Sequence, residues 1–157
     1  MRILVDSNVY IDVLLKREPF SGVCREFLEK CRKYRHLTYC TPQTMRDVGY
    51  AIHKHTHSKE IAIRAMFYLH QTTRTVIGIT GDDAINALFE DANDYEDALQ
   101  YLAAERNHLD AVVTNNIRDF QKSHVPVYTP EQIVAYWEGR GEEWAKAHPD
   151  LAGKMPQ

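Results

Sequence analysis

Residues 3–14, ILVDSNVYIDVL, decide how this chain folds. Ile3-Leu4-Val5 is a short apolar run with a β-branched bias, and Asp6-Ser7-Asn8 directly after it are residue types that favour helix N-caps and turns. The segment predicts a strand running straight into a helix. Val9, Val13 and Leu14 recur at helical spacing as far as Arg17, and Pro19 ends the pattern.

The same alternation continues outward. A helix is expected over 21–34, with Val23, Cys24, Phe27, Leu28 and Cys31 on one face, then a strand over 37–41. Pro42 suits the first turn of a third helix that carries Met45, Val48 and Ile52 inward, and the polar stretch 54–59 (KHTHSK) breaks it. A helix over 61–71 precedes a strand over 75–80. Helices over 82–91 and 95–106, strands over 111–114 and 125–128, and a capped helix over 132–137 follow. Strands separated by helical segments imply right-handed parallel β-α-β units. The expected fold is therefore α/β, a three-layer α/β/α sandwich around a central five-stranded parallel sheet. Residues 1–138 are read as one domain and residues 139–157 as a polar, loosely attached C-terminal tail with one helical turn around Trp144.

With 157 residues, 44% of them hydrophobic, the chain can bury one good core. Its first apolar segment is interrupted by Asp6 and Asp12, which suits neither a secretion signal nor a membrane span, so a cytoplasmic protein with no membrane partner is expected. Cys24, Cys31 and Cys40 lack the spacing of a disulfide framework or a CxxC pair and are read as buried thiols. The net charge of -3 argues against coating nucleic acid through bulk charge. Its distribution is uneven: residues 1–79 carry 13 Lys+Arg against 7 Asp+Glu, and residues 80–157 carry 6 against 15. That asymmetry suits a basic phosphate-binding surface beside an acidic metal site.

Four segments carry candidate chemistry. Asp6 follows the first strand, where it serves equally as an N-cap. Asp47 sits inside a helical pattern although Asp is a poor helix former, with a pairing to Arg46 as its ordinary explanation. Asp94-Tyr95-Glu96-Asp97 opens a helix; Asp94 and Asp97 fit a capping box, yet three acids in four positions repel one another and are better tolerated near a cation. Thr114-Asn115-Asn116-Ile117-Arg118-Asp119 supplies a hydroxyl, two amides and a carboxylate just after a strand, a composition that a turn also favours. Hard oxygen donors from several segments are what Mg²⁺ or Mn²⁺ requires, and no His/Cys spacing competes for a softer metal. His53, His55 and His57 read as an exposed polar stretch between helices. Lys54, Lys59, Arg64 and the Arg32-Lys33-Arg35 run are candidates for phosphate contact.

These segments resemble the PIN domain, and in particular its bacterial toxin-like members, over roughly residues 1–135. ILVDSNVYID is similar to the family's opening strand and acid, TMRDVGYAI to its second acidic helix, DYEDALQYLAA to its third acidic block, and DAVVTNNIRDF to its strand followed by Thr-x-Asn/Asp and Asp-Phe. The resemblance implies a strand order of 3-2-1-4-5 and a metal site at the carboxyl edge of the central strands. It assigns Asp6, Asp47 and Asp97 as the principal catalytic, metal-holding acids, with Asp119 or water supplying the charge missing at Asn116, and Ser7, Asn8, Thr114 and Asn116 as groups that position substrate or water. Two positions depart from the family pattern: the second acid is Asp47 where Glu is common, and Asn116 stands where Asp is often found.

The resemblance implies an Mg²⁺- or Mn²⁺-dependent endoribonuclease, the toxin of a toxin–antitoxin pair, with RNA as substrate and an antitoxin protein as partner. A homodimer is expected, with Tyr68, Tyr101 and Trp137 as exposed aromatic candidates. The alternative is a PIN-like RNA-binding module whose site is too weak to cut. A phosphatase forming an aspartyl-phosphate is disfavoured, because such enzymes carry a second Asp two residues after the first and this chain has Asn8 there.

Overall fold

The computed structural model describes residues 1–90 and 94–149. Five strands form one parallel sheet in the order β3-β2-β1-β4-β5: β1 (Arg2–Val5), β2 (Leu37–Cys40), β3 (Thr75–Val76), β4 (Ala111–Val113) and β5 (Val127–Tyr128). The central strand β1 pairs with β2 on one side and β4 on the other, Leu4 lying opposite both Tyr39 and Val112.

Side-chain alternation along these strands builds the layers. Ile3, Val5, Cys40, Ala111 and Val113 point into one core, shared with α1 (Ser7–Leu14), α2 (Ser21–Lys33), α3 (Pro42–Thr56), α4 (Lys59–Thr72) and α7 (Pro130–Trp137). Leu4, Tyr39 and Val112 point into the other, covered by α5 (Gly81–Ala87), α6 (Tyr95–Arg106) and the 3₁₀ turn Ile117–Phe120. Ile3, Leu4 and Val5 are wholly buried, each contributing roughly 1.5–3 kcal/mol of burial free energy. A residue run buried on both faces reads as unbroken hydrophobicity, which is the pattern of 3–5.

Local chemistry fixes the helix starts. Thr41 and Thr44 cap α3 reciprocally with Pro42 at the first turn, and Thr80 with Asp83 does the same for α5. Asp83 is buried and also receives the Arg106 guanidinium, which ties the start of α5 to the end of α6. Helices α3 and α4 cross closely at Gly49, where an added Cβ would meet Met66 Sδ at 2.8 Å.

Several expectations need adjusting. β3 covers two residues rather than 75–80, because after Ile77 bonds to Cys40 O the backbone turns away to the cap of α5. α5 closes at Ala87 and residues 88–90 form a turn where the helix was expected to continue; the expected end at Asp91 lies outside the described residues. α3 runs on through Thr56, so His53 and His55 belong to its last turns and His57 is its left-handed C-cap, all three exposed as expected. The region after Gly139 is less loose than its composition suggests: α8 (Gly141–Ala147) packs on α7 and buries Trp144, and the stretch from 150 on lies outside the described residues. Of the three aromatic side chains expected to be exposed, Tyr101 is buried against Phe120 with its hydroxyl donating to Glu90. Trp137 is half-buried, stacked on Phe27 and covered by His36; Tyr68 is exposed. The three cysteines are free and buried, with burial pushing Cys24 and Cys40 to about 11 and Cys31 to about 12. Among the described residues no helix is long and apolar enough to cross a membrane.

Candidate active site

Asp6 is the first residue past β1, at the carboxyl edge of the sheet, where a parallel α/β fold places its ligands. Its backbone N–H extends the ladder to Val113 O, and its side chain caps α1 by accepting from Ser7 N at 2.6 Å. The capping reading therefore holds for this carboxylate, which also stands at the carboxyl edge of the sheet. It is 5% exposed and is gripped by a second strand end: Thr114 Oγ1, wholly buried, donates to Asp6 Oδ2 at 2.8 Å. Burial raises the Asp6 carboxyl above its ordinary range, opposed by the bonds from Thr114, Ser7 and Gln100.

Thr114 is the hub of a polar network. It accepts from Asn8 Nδ2 at 2.9 Å and from Asn116 N at 3.0 Å, while Asn8 Oδ1 accepts from Asn115 N at 3.1 Å. The start of α1 is thereby locked to the turn after β4. Asn116 Nδ2 donates to Asp119 Oδ2 in the 3₁₀ turn, which holds that carboxylate at the margin. Behind them, the buried Asp12 accepts from Asn115 Nδ2 at 2.8 Å, and burial raises its carboxyl as well.

Asp97 enters from α6. Asp94 alone caps that helix, accepting from Glu96 N at 2.7 Å and Asp97 N at 3.3 Å, which leaves the Asp97 carboxyl free of capping duty. Among the described residues nothing donates a hydrogen bond to it. Burial first, then the charges of Asp6, Asp94, Asp119 and Glu96, push it up to about 8. Asp6, Asp97 and Asp119 thus share one electrostatic environment contributed by β1, α6 and the turn after β4.

Asp47 is placed differently. Arg46 holds its carboxylate through Nε at 3.0 Å and Nη2 at 2.8 Å, and the same guanidinium reaches Glu96 Oε1 at 3.2 Å. Asp47 therefore lies near the start of α6 but is neutralised by its neighbour, and it is not among the charges that raise Asp97. Among the described residues no three His, Cys, Asp or Glu side chains stand close enough to hold one metal ion together. Two polar groups that sequence reading passed over join this network, Asp12 and Gln100. Gln100 is 2% exposed, with Nε2 3.5 Å from Asp6 Oδ1 and Oε1 3.4 Å from Thr44 Oγ1. Its signal was a polar residue one turn after Asp97 on the inward face of a helix.

An acidic site at the carboxyl edge, built on strand order 3-2-1-4-5, is matched by comparison with known families: a family model described as the PIN domain covers residues 2–118. The chain belongs to the PIN-domain family. PIN domains are generally nucleases that depend on divalent metal and bind RNA, and the match takes in Asp6, Asp47, Asp97, Thr114 and Asn116, while Asp119 falls one residue beyond it. A search of curated proteins found no match.

The donor set fits a divalent cation. A half-buried carboxyl beside four other carboxylates, with no hydrogen-bond donor among the described residues, is electrostatically unsatisfied in a way that hard positive charge relieves.

Proposed function

We propose that this PIN domain is an endoribonuclease that uses Mg²⁺ or Mn²⁺ to hydrolyse RNA phosphodiester bonds. The observation that carries the reading is the Asp97 carboxyl, uncompensated among Asp6, Asp94, Asp119 and Glu96. Asp6 and Asp97 would supply carboxylate oxygens to the cation, with Asp119 acting through the waters that fill its other positions, and Asp47 would come within reach once Arg46 turns to substrate. The ion, when bound, supplies charge neutralisation at phosphate and activation of a water for attack at phosphorus. The chain supplies the geometry. Thr114 Oγ1 fixes Asp6 Oδ2, Ser7 N fixes Oδ1, and the Asn8–Asn115 bond keeps the two strand ends in register. Asn116 aims Asp119, and the exposed Arg46 at the rim is placed to meet a phosphate.

The biological setting that the resemblance suggests is a cytoplasmic toxin restrained by an antitoxin protein. Exposed Tyr50 and Phe67 on the α3–α4 hairpin, and Ile85, Leu88 and Phe89 at the end of α5, offer apolar surface for that partner or for a homodimer.

A second reading, an RNA-binding module that does not cut, is favoured by the Arg46–Asp47 pair and by Asn116 in place of an acid. Incubating the full chain with single-stranded RNA and Mn²⁺, with and without chelator, separates the two. Chelator-sensitive cleavage that Asp97→Asn abolishes supports the nuclease; RNA binding with no cleavage by the parent protein selects the second reading.

A further inference from the structure

The Arg32-Lys33-Arg35 run has no part in the acidic site. The end of α2 and the chain leading into β2 lie at the amino edge of the sheet, whereas Asp6 and Thr114 lie at the carboxyl edge. The two edges are separated by the four-residue length of β1, about 13 Å at ~3.3 Å per residue. At that amino edge, between α2 and α4, is a cavity of about 750 Å³. Arg25, Arg32, Arg35 and Arg74 line it, with Glu29 the one acid among its lining residues. Among the described residues none of these four arginines makes an ion pair, although Arg17, Arg46, Arg64, Arg106 and Arg140 elsewhere all do.

The ordinary explanation of basic residues here is the negative end of a helix dipole. It covers Arg32 and Arg35, at the close of α2, but not Arg25, which lies in the first half of that helix. Nor does it supply a partner for Arg74, beyond the end of α4, whose backbone N–H is committed to Thr38 O. Arg35 adopts a left-handed φ of 56° just past the end of α2, as Lys16, His57 and His108 do at the ends of other helices. The rest of the lining mixes apolar and aromatic side chains, among them Val13, Leu28 and the exposed Tyr68, with the polar Thr38, Gln71, Thr72 and Thr73. Four guanidiniums without ion-pair partners among the described residues, beside Leu28, Tyr68 and a row of hydrogen-bonding side chains, match a ligand that joins several negative oxygens to a planar ring. Guanidinium forks pair bidentately with phosphate, and aromatic and aliphatic side chains accept a base.

We propose that this cavity is a second binding site, distinct from the acidic one, that takes a nucleotide: its phosphates meet Arg25, Arg32, Arg35 and Arg74, and its base lies against Leu28 and Tyr68. The nucleotide is either free or the terminal residue of an RNA strand. The inference is independent of whether the acidic site cuts.

The test uses the full chain with chelator present, so that no cation recruits phosphate to the acidic site. Adenosine 5′-diphosphate and a six-nucleotide single-stranded RNA are titrated separately by calorimetry, followed by competition between them. Saturable binding with one site per chain is expected for at least one probe. Arg32→Gln combined with Arg74→Gln should weaken it at least about tenfold, without lowering the melting temperature. Lys122→Gln with Lys146→Gln, which removes the same charge elsewhere, should change it less than about twofold, and Asp97→Asn should not weaken it. Diphosphate binding without RNA binding identifies a free nucleotide; RNA binding that the diphosphate displaces identifies a strand end. The proposal is overturned if neither probe saturates below about 1 mM. It is overturned equally if the arginine variant binds as the parent does, or if the lysine variant loses as much as the arginine variant.

Discussion

Replacing Asp97 by Asn separates a metal-holding acid from a structural one, because the amide keeps the shape of the side chain while discarding its charge. In the protein the carboxyl titrates at about 8 against an ordinary 3.8, raised by burial and by Asp6, Asp94, Asp119 and Glu96. A raised acid binds its proton more tightly in the folded than in the unfolded chain, so the folded state loses stability as pH climbs from about 4 to about 8. Below that window both states are protonated and the group is neutral in effect; above it the full penalty is present. At ~1.4 kcal/mol per tenfold change in acidity the shift would correspond to about 6 kcal/mol, but water reaching a half-buried carboxyl screens most of it. A penalty of about 2 kcal/mol remains, equivalent to about 4–8 °C in melting temperature for a chain of this size. Thermal melts with chelator should therefore show Asp97→Asn matching the parent at pH 4–5 and exceeding it by that margin at pH 8. Mn²⁺ should narrow the gap by stabilising the parent, and RNA cleavage by the variant should fall at least about a hundredfold, roughly 3 kcal/mol of transition-state stabilisation. Melting curves that coincide from pH 5 to 9 would refute the electrostatic reasoning, and a variant that cuts as fast as the parent would remove Asp97 from the mechanism.

Other perturbations probe the supports of the site. Thr114→Val keeps the volume but leaves Asp6, Asn8 Nδ2 and Asn116 N without their shared partner; a stability loss of about 1–3 kcal/mol in denaturant melts is expected, with cleavage falling at least about tenfold. Asp83 sits in the opposite regime to Asp97: burial alone would raise it, but Arg106 and the Thr80 N–H hold it below its ordinary value. Its contribution is present above the unfolded-state value and lost as pH falls through the folded one, so Asp83→Ala should cost about 2–4 kcal/mol at pH 7 and progressively less below about pH 4, read by urea unfolding at each pH. Arg46→Met releases Asp47 and Glu96; Mn²⁺ should then bind several-fold more tightly by calorimetry, and an unchanged affinity would place Asp47 outside the metal site.

The parts of this molecule that were legible in advance are those where one residue's type has one use. A β-branched run buried on both faces can hardly be anything but a central strand, and an acid directly after it lands at the sheet's carboxyl edge wherever the flanking loops go. Asp47 was legible as an acid on α3, but whether it meets a cation or its own neighbour depends on the rotamer of Arg46, which no spacing specifies. Tyr101 was misjudged because α6 buries side chains on more than one side, Gln100 and Ala103 as well as Ala98, Tyr101 and Ala104, so the helix lacks the clean stripe that marks exposure. Trp144 was undervalued because one large aromatic can dock a helix whose other residues are polar. The arginine cavity was visible only as a charged run, since Arg74 joins Arg32 and Arg35 through the parallel crossing of β2 and β3.

The alternation that sends Ile3 and Val5 one way and Leu4 the other also determines where Asp6 can act. Asp6 has the parity of Leu4, and Thr114 has the parity of Val112, so both emerge on the side covered by α6, where Asp97 and Gln100 wait. The reactive edge is in this sense an arithmetic property of β1 and β4. Lengthening the connection from α1 to α2 leaves it untouched, whereas deleting one residue between Arg2 and Asp6 would slip the strand and turn the acid towards the opposite helical layer. The connection between α1 and α2 can change in length, but the two innermost strands must keep their odd–even count.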